Sequence, residues 1–145
     1  MELDSLYQDV ILDHYKHPQN KKLSAEFDAQ VHHVNPSCGD EITLNLTLKD
    51  GYVDQVTWDG VGCSISQASV SIMSDLLQGK SLQDARIIEG EFLELMQSKG
   101  SKNGNEDLLE DAVAFAGVSK YPARIKCALL GWMAFKDAAV QAQAK

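Results

Sequence analysis

Three cysteines and one aspartate carry the sequence contexts most suited to chemistry. Cys38 sits in Pro36-Ser37-Cys38-Gly39-Asp40. The flanking Pro and Gly predict a sharp loop between two strands, and Gly39 lets the backbone bend toward a bound ion. Asp40 follows closely enough for both side chains to reach one centre. Cys63 sits in Gly60-Val61-Gly62-Cys63-Ser64, where a strand pattern gives way to a helical one. A thiol at a helix N-terminus sees the positive end of the macrodipole, which favours thiolate. Cys127, in Arg124-Ile125-Lys126-Cys127-Ala128, falls about one and a half turns into the last predicted helix. Arg124 and Cys127 are three residues apart and share a face.

Thiolate binds soft metals and attacks sulfur. Three thiolates with one carboxylate suit tetrahedral zinc, and thiolates also hold iron–sulfur clusters. Such a zinc site is anionic, and Arg124 and Lys126 are the candidate cations around it. The spacing contains no Cys-x-x-Cys pair. On these residues alone, inert buried cysteines are the competing account.

The rest of the chain narrows the setting. It has 145 residues, the length of one ordinary domain spanning 1–145, with 44% hydrophobic and 23% charged residues. Its formal net charge of −8 disfavours nucleic acid as a partner and suits a cation or a basic protein. The opening Met1-Glu2-Leu3-Asp4 lacks a secretory pattern, and no apolar run is long enough to span a bilayer. The expectation is a cytoplasmic protein with reduced cysteines and no membrane partner.

The elements that must position the four residues follow from periodicity. Leu3, Leu6, Tyr7, Val10, Ile11 and His14 predict an amphipathic helix over 3–16, ended by Pro18 and Asn20. Strands are predicted near 27–34, 41–48 and 52–58. The second is the clearest, because Ile42, Leu44, Leu46 and Leu48 alternate with polar residues. Asp50-Gly51 predicts a tight hairpin turn. From residue 64 a helical stripe begins, with Ser64 and Gln67 as a capping box and Gly79 as a stop. One or two helices are predicted over 81–97, a loop over 98–105, a helix over 106–116, and a last helix from Pro122 to about 142. Strands first and helices afterwards predict an α+β fold: a three-stranded antiparallel sheet with several helices packed mainly on one face.

The three cysteine motifs, with Leu6-Tyr7, Ile11-Leu12-Asp13-His14-Tyr15 and Pro18-Gln19-Asn20, resemble the SufU/IscU-type iron–sulfur cluster assembly family, whose fold is SufE/NifU-like. The likeness runs in order over nearly the whole chain. Two departures favour the SufU branch. IscU-type scaffolds place a histidine just before the third cysteine, where this chain has Lys126. The interval from Cys63 to Cys127 (127 − 63 = 64 residues) is also longer than the IscU-type pattern.

The resemblance implies zinc held by Cys38, Asp40, Cys63 and Cys127, and sulfur accepted from a SufS-like, pyridoxal-phosphate-dependent cysteine desulfurase. Cys38, on a Gly-flanked loop, is the expected acceptor, with Arg124 and Lys126 around the metal. Downstream iron–sulfur assembly or acceptor proteins are the expected recipients. The protein is then a sulfurtransferase-like partner of the desulfurase rather than a stand-alone enzyme. Two alternatives stay open: a scaffold that builds a transient [2Fe–2S] cluster on the same ligands, and a binding module with a purely structural zinc.

Other polar residues read more plainly. His32 and His33 alternate faces of a strand, and His14 continues an apolar stripe as a core-edge histidine. No Ser/His/Asp arrangement, phosphate loop or dinucleotide fingerprint is present.

Overall fold

Alternation with period two builds the sheet. In the computed structural model, which describes residues 2–144 and their side chains from Tyr7 onward, three strands pair antiparallel in the order β1-β2-β3. They are β1 (Ala29–Asn35), β2 (Asp40–Lys49) and β3 (Tyr52–Val61). Ala29, Val31, Ile42, Leu44, Leu46, Val56 and Trp58 are all buried and supply the sheet's contribution to the core. Asp50 and Gly51 both take positive φ, 54° and 82°, and close the predicted hairpin between β2 and β3. The third strand runs three residues past the predicted end at 58, because Asp59, Gly60 and Val61 still pair with Thr43, Ile42 and Glu41. That extension matters, since it carries the chain up to Cys63 beside the start of β2.

Helices cover the apolar face. The first helix, α1 (Glu2–Lys16), agrees with its prediction. Leu3 and Leu6 of its predicted stripe lie outside the described side chains, while Ile11 is buried. His14 donates to or accepts from Ser71 at 2.8 Å, a satisfied core-edge histidine as expected. After the sheet come α2 (Ser64–Leu77), α3 (Leu82–Gln97), the single turn α4 (Glu106–Leu109), a 3-10 segment (Glu110–Lys120) and α5 (Pro122–Gln143). One helix fills 82–97 rather than two, capped by Ser81, whose hydroxyl accepts from the Asp84 amide at 3.0 Å. Phe92 of α3 stacks on Trp132 of α5 at 4.2 Å and meets Phe115 edge-on at 6.0 Å, tying the C-terminal half into one core.

Two local expectations are corrected. The continuous helix over 106–116 is broken at Glu110, which has φ of 47°, and the chain goes on as a 3-10 helix. Ala112, Val113, Ala114 and Phe115 are all buried in succession, so this segment is packed on every side rather than along one stripe. The Ser64/Gln67 capping box does not form. Cys63 occupies the cap, without a side-chain cap bond, and Ser64 is already helical. Gln67 is buried, and neither polar atom of its side chain finds a partner among the described residues.

None of the helices among the described residues is long and apolar enough to cross a membrane.

Candidate metal centre

The antiparallel register places the site. Asn35, the last residue of β1, lies opposite Asp40, the first of β2. The four residues between β1 and β2 must therefore turn tightly. The turn is closed by the Cys38 amide donating to the Asn35 carbonyl at 3.2 Å, with Gly39 at φ of 69°. Cys38 is left exposed at the tip. Asp40, one residue past Gly39, is turned inward and has no exposure at all.

The start of α2 arrives beside it. The backbone N–H of Cys63 donates to Asp40 Oδ1 at 2.9 Å. Cys63 Sγ lies 4.0 Å from the other carboxylate oxygen, Oδ2, and 3.9 Å from Ser66 Oγ. Ser66 in turn donates to the Cys63 carbonyl at 3.1 Å. Gly62 makes room for this approach. A Cβ there would sit 2.3 Å from Asp40 Oδ1 and 2.7 Å from Ser66 Oγ, which no side chain survives without movement.

The third thiol comes from α5, which packs against α2 and the first two strands. Pro122 starts that helix and Cys127 points into the protein with no exposure. Its Sγ is 3.2 Å from Cys38 Sγ, close but unbonded. Burial pushes the Cys127 thiol well above its ordinary range, reinforced by hydrogen bonding to Cys38, Asp40 and Cys63 and by the charge of Cys63. A protein that buries a carboxylate and a thiol together has good reason to place a cation there.

The donor chemistry agrees with that reason. One ligand atom from each of Cys38, Asp40 and Cys127 lies within 4.8 Å of the others, a group able to hold a metal ion. In tetrahedral zinc with bonds of about 2.3 Å, two sulfurs stand roughly 3.8 Å apart. The Cys38–Cys127 pair at 3.2 Å needs to open only slightly. With Asp40 Oδ1 taken by the Cys63 amide, Oδ2 is the oxygen left for an ion. Cys63 stands outside the group of three but against its carboxylate.

Arg124 and Lys126 lie on the outer part of α5, just before Cys127 in sequence. Both are exposed, and among the described residues neither side chain makes a hydrogen bond or ion pair to the cluster. Arg124 lines a neighbouring cleft of about 440 Å³ with Tyr7, Ile11, Ile65 and Tyr121. His32 and His33 face carboxylates away from the site, Glu41 at 3.6 Å and Asp137 at 2.9 Å.

Sequence reasoning passed over three residues. Asn35 is buried with Nδ2 3.9 Å from Cys127 Sγ, Ser66 buttresses Cys63, and Gly62 is the gap for Asp40. Only Gly62 left a readable sign, a glycine directly before a cysteine at a strand-to-helix junction.

Known proteins resemble this chain over nearly its full length. Residues 6–128 match the NifU-like N terminal domain. The zinc-dependent sulfurtransferase SufU of Bacillus subtilis is 42% identical over 134 residues, covering 92% of this chain and 89% of the relative. The iron–sulfur cluster assembly scaffold protein IscU of Streptococcus pyogenes is 38% identical, covering 94% and 84%. Among solved structures, the N-terminal part of a nitrogen-fixing NifU-like protein from Brucella abortus superposes with a TM-score of 0.88 at 25% identity, covering 100% of this chain and 99% of that one. Matched over residues 6–128 and built on the same kind of α+β fold, the chain belongs to the NifU-like N-terminal domain family.

Proposed function

We propose that this protein serves iron–sulfur cluster assembly as a zinc-binding sulfur acceptor, taking persulfide sulfur from a cysteine desulfurase and passing it to assembly or acceptor proteins. The observation that carries the reading is the pairing of one exposed thiol, Cys38, with a fully buried thiol 3.2 Å away and a fully buried carboxylate. Such a site has an anchored side and an open side. Cys38, Asp40, Cys63 and Cys127 hold the metal in this reading. Zinc, when bound, supplies a Lewis acid that keeps the surrounding sulfurs as thiolates.

The residues divide the work. Cys127 and Asp40 are held by α5 and by the Cys63 amide, so they anchor. Cys38 lies on the turn and meets the donor. Its thiolate attacks the terminal sulfur of the donor persulfide. A new sulfur–sulfur bond forms at Cys38, the donor's breaks, and the donor cysteine leaves as thiolate. No net oxidation or reduction occurs. Arg124 and Lys126 flank Cys127 on the exposed part of α5 and are proposed to meet the partner or to lower the charge of the site.

The test mixes the protein with a cysteine desulfurase and cysteine and weighs the intact chain. A persulfide on the parent, absent from Cys38→Ser, supports the reading; a parent that gains no sulfur and leaves desulfurase turnover unchanged ends it. The IscU relatives favour a second reading, a scaffold that itself assembles a [2Fe–2S] cluster. Anaerobic reconstitution with iron and sulfide separates the two by the appearance of a stable cluster spectrum.

A further inference from the structure

A buried thiolate needs donors around it. Cys127 Sγ has the Ala123 carbonyl at 3.8 Å on its own helix, an acceptor that gives a thiolate nothing. It has Cys38 Sγ at 3.2 Å, a second sulfur. The cations that flank it in sequence, Arg124 and Lys126, are exposed. The nitrogen that does reach the sulfur belongs to the side-chain amide of Asn35, at 3.9 Å, and Asn35 is only 8% exposed.

We infer that Asn35 is a positioning residue of the metal centre, its side-chain N–H donating to Cys127 Sγ while its backbone carbonyl holds the Cys38 turn. The inference rests on the metal-binding reading above. The amide has one workable orientation beside a thiolate, because the opposite one would aim the Oδ1 lone pairs at the sulfur. The backbone of the same residue faces Asp40 in the sheet and accepts from the Cys38 amide. Asn35 thus touches three of the four proposed ligands. Its side chain acts on only one of them, and this separates its two roles. An N–H···S bond draws electron density from the sulfur that receives it. Cys127 becomes the less nucleophilic, retained ligand, and the exposed Cys38, whose sulfur no side-chain amide reaches among the described residues, is left as the reactive one.

Asn35→Ala and Asn35→Asp both keep the backbone carbonyl that closes the turn, and both remove the N–H donor. Asn35→Asp also places a carboxylate against the sulfur. Zinc affinity, measured by competition with a chromophoric chelator, should fall roughly 10- to 100-fold in Asn35→Ala, and further in Asn35→Asp. In the cobalt-substituted protein, the thiolate-to-metal charge-transfer band should move to lower energy in Asn35→Ala, as the sulfur becomes more electron-rich. A merely structural role would not move that band. Should Asn35→Ala fail to fold, the isosteric Asn35→Asp is read on the same two scales. Parental affinity in a folded variant overturns the inference, and so does weakened affinity with an unmoved band. A parent that takes up neither zinc nor cobalt defeats the metal reading itself, whereas metal uptake with silent Asn35 variants defeats this inference alone.

Discussion

Asp40 Oδ1 accepts the backbone N–H of Cys63 at 2.9 Å, so a strand start and a helix start are fastened through a proposed metal ligand. The bond gives the carboxylate two separable duties. One oxygen holds the fold; the other faces the thiols. Asp40→Asn keeps an acceptor for the Cys63 amide but removes the charge. Metal-free Asp40→Asn should therefore melt near the parent, while its zinc affinity drops. Asp40→Ala leaves the part-buried Cys63 N–H without this partner, and should cost about 1 kcal/mol even without metal. Chelator-treated samples of both variants, compared by thermal melting, check this; equal loss in the two would remove the structural duty.

Gly62 tests the same junction sterically. Its added Cβ would collide with Asp40 Oδ1 and Ser66 Oγ. Gly62→Ala should destabilise by about 1–3 kcal/mol, as overpacking does. It should also weaken zinc binding, since the carboxylate is the atom group displaced. A Gly62→Ala protein with parental melting temperature and parental zinc content would show that the junction yields without disturbing Asp40.

How far the sequence revealed this molecule depended on where the deciding contacts lay. Strand β2 was legible because Ile42, Leu44 and Leu46 bury one face and the period is local. The last helix was legible from Pro122 and the apolar run after it. The 3-10 segment was not, because its winding answers to Phe115 packing on Phe92, a contact between distant segments. The capping box failed for a similar reason. Asp40, distant in sequence, already satisfies the Cys63 amide, and Cys63 takes the cap. The cysteines and Asp40 were visible as types in suggestive contexts. Asn35 was not, since an Asn before Pro reads as a turn residue and nothing local points to a sulfur 92 positions away.

Glu89 gives a prediction on pH. Burial raises its pKa, with Lys136 and Arg86 pulling the other way. A carboxyl whose folded pKa is raised binds its proton more tightly when folded. Its contribution is fully present below the unfolded pKa and is lost as pH rises through the folded one. Glu89→Gln removes that loss. The variant should be more stable than the parent at neutral pH, and the difference should vanish in acid. Melting curves from about pH 4 to pH 7 check it; a constant difference across that range would mean that Glu89 ionisation is not the cause.

The 3.2 Å separation of Cys38 and Cys127 makes a prediction about oxidation. A disulfide needs its sulfurs about 2.05 Å apart, so this pair must close by little more than an ångström. Cys38 is exposed and is the thiol that peroxide reaches first. It becomes a sulfenic acid with release of one water; Cys127 then displaces that oxygen as a second water, leaving one disulfide. Cys63, set against Asp40 and Ser66, is not the near partner. Metal-free protein treated with peroxide should therefore give one intramolecular bond, mapped by peptide mass to Cys38–Cys127. Zinc-loaded protein should resist, because ligation holds the sulfurs roughly 3.8 Å apart and ties up their lone pairs. Equal oxidation with and without zinc would mean that these sulfurs do not share a metal. A dominant Cys38–Cys63 bond would mean that Cys127 lies farther from Cys38 in solution than 3.2 Å, and the retained-ligand role given to it would then pass to Cys63.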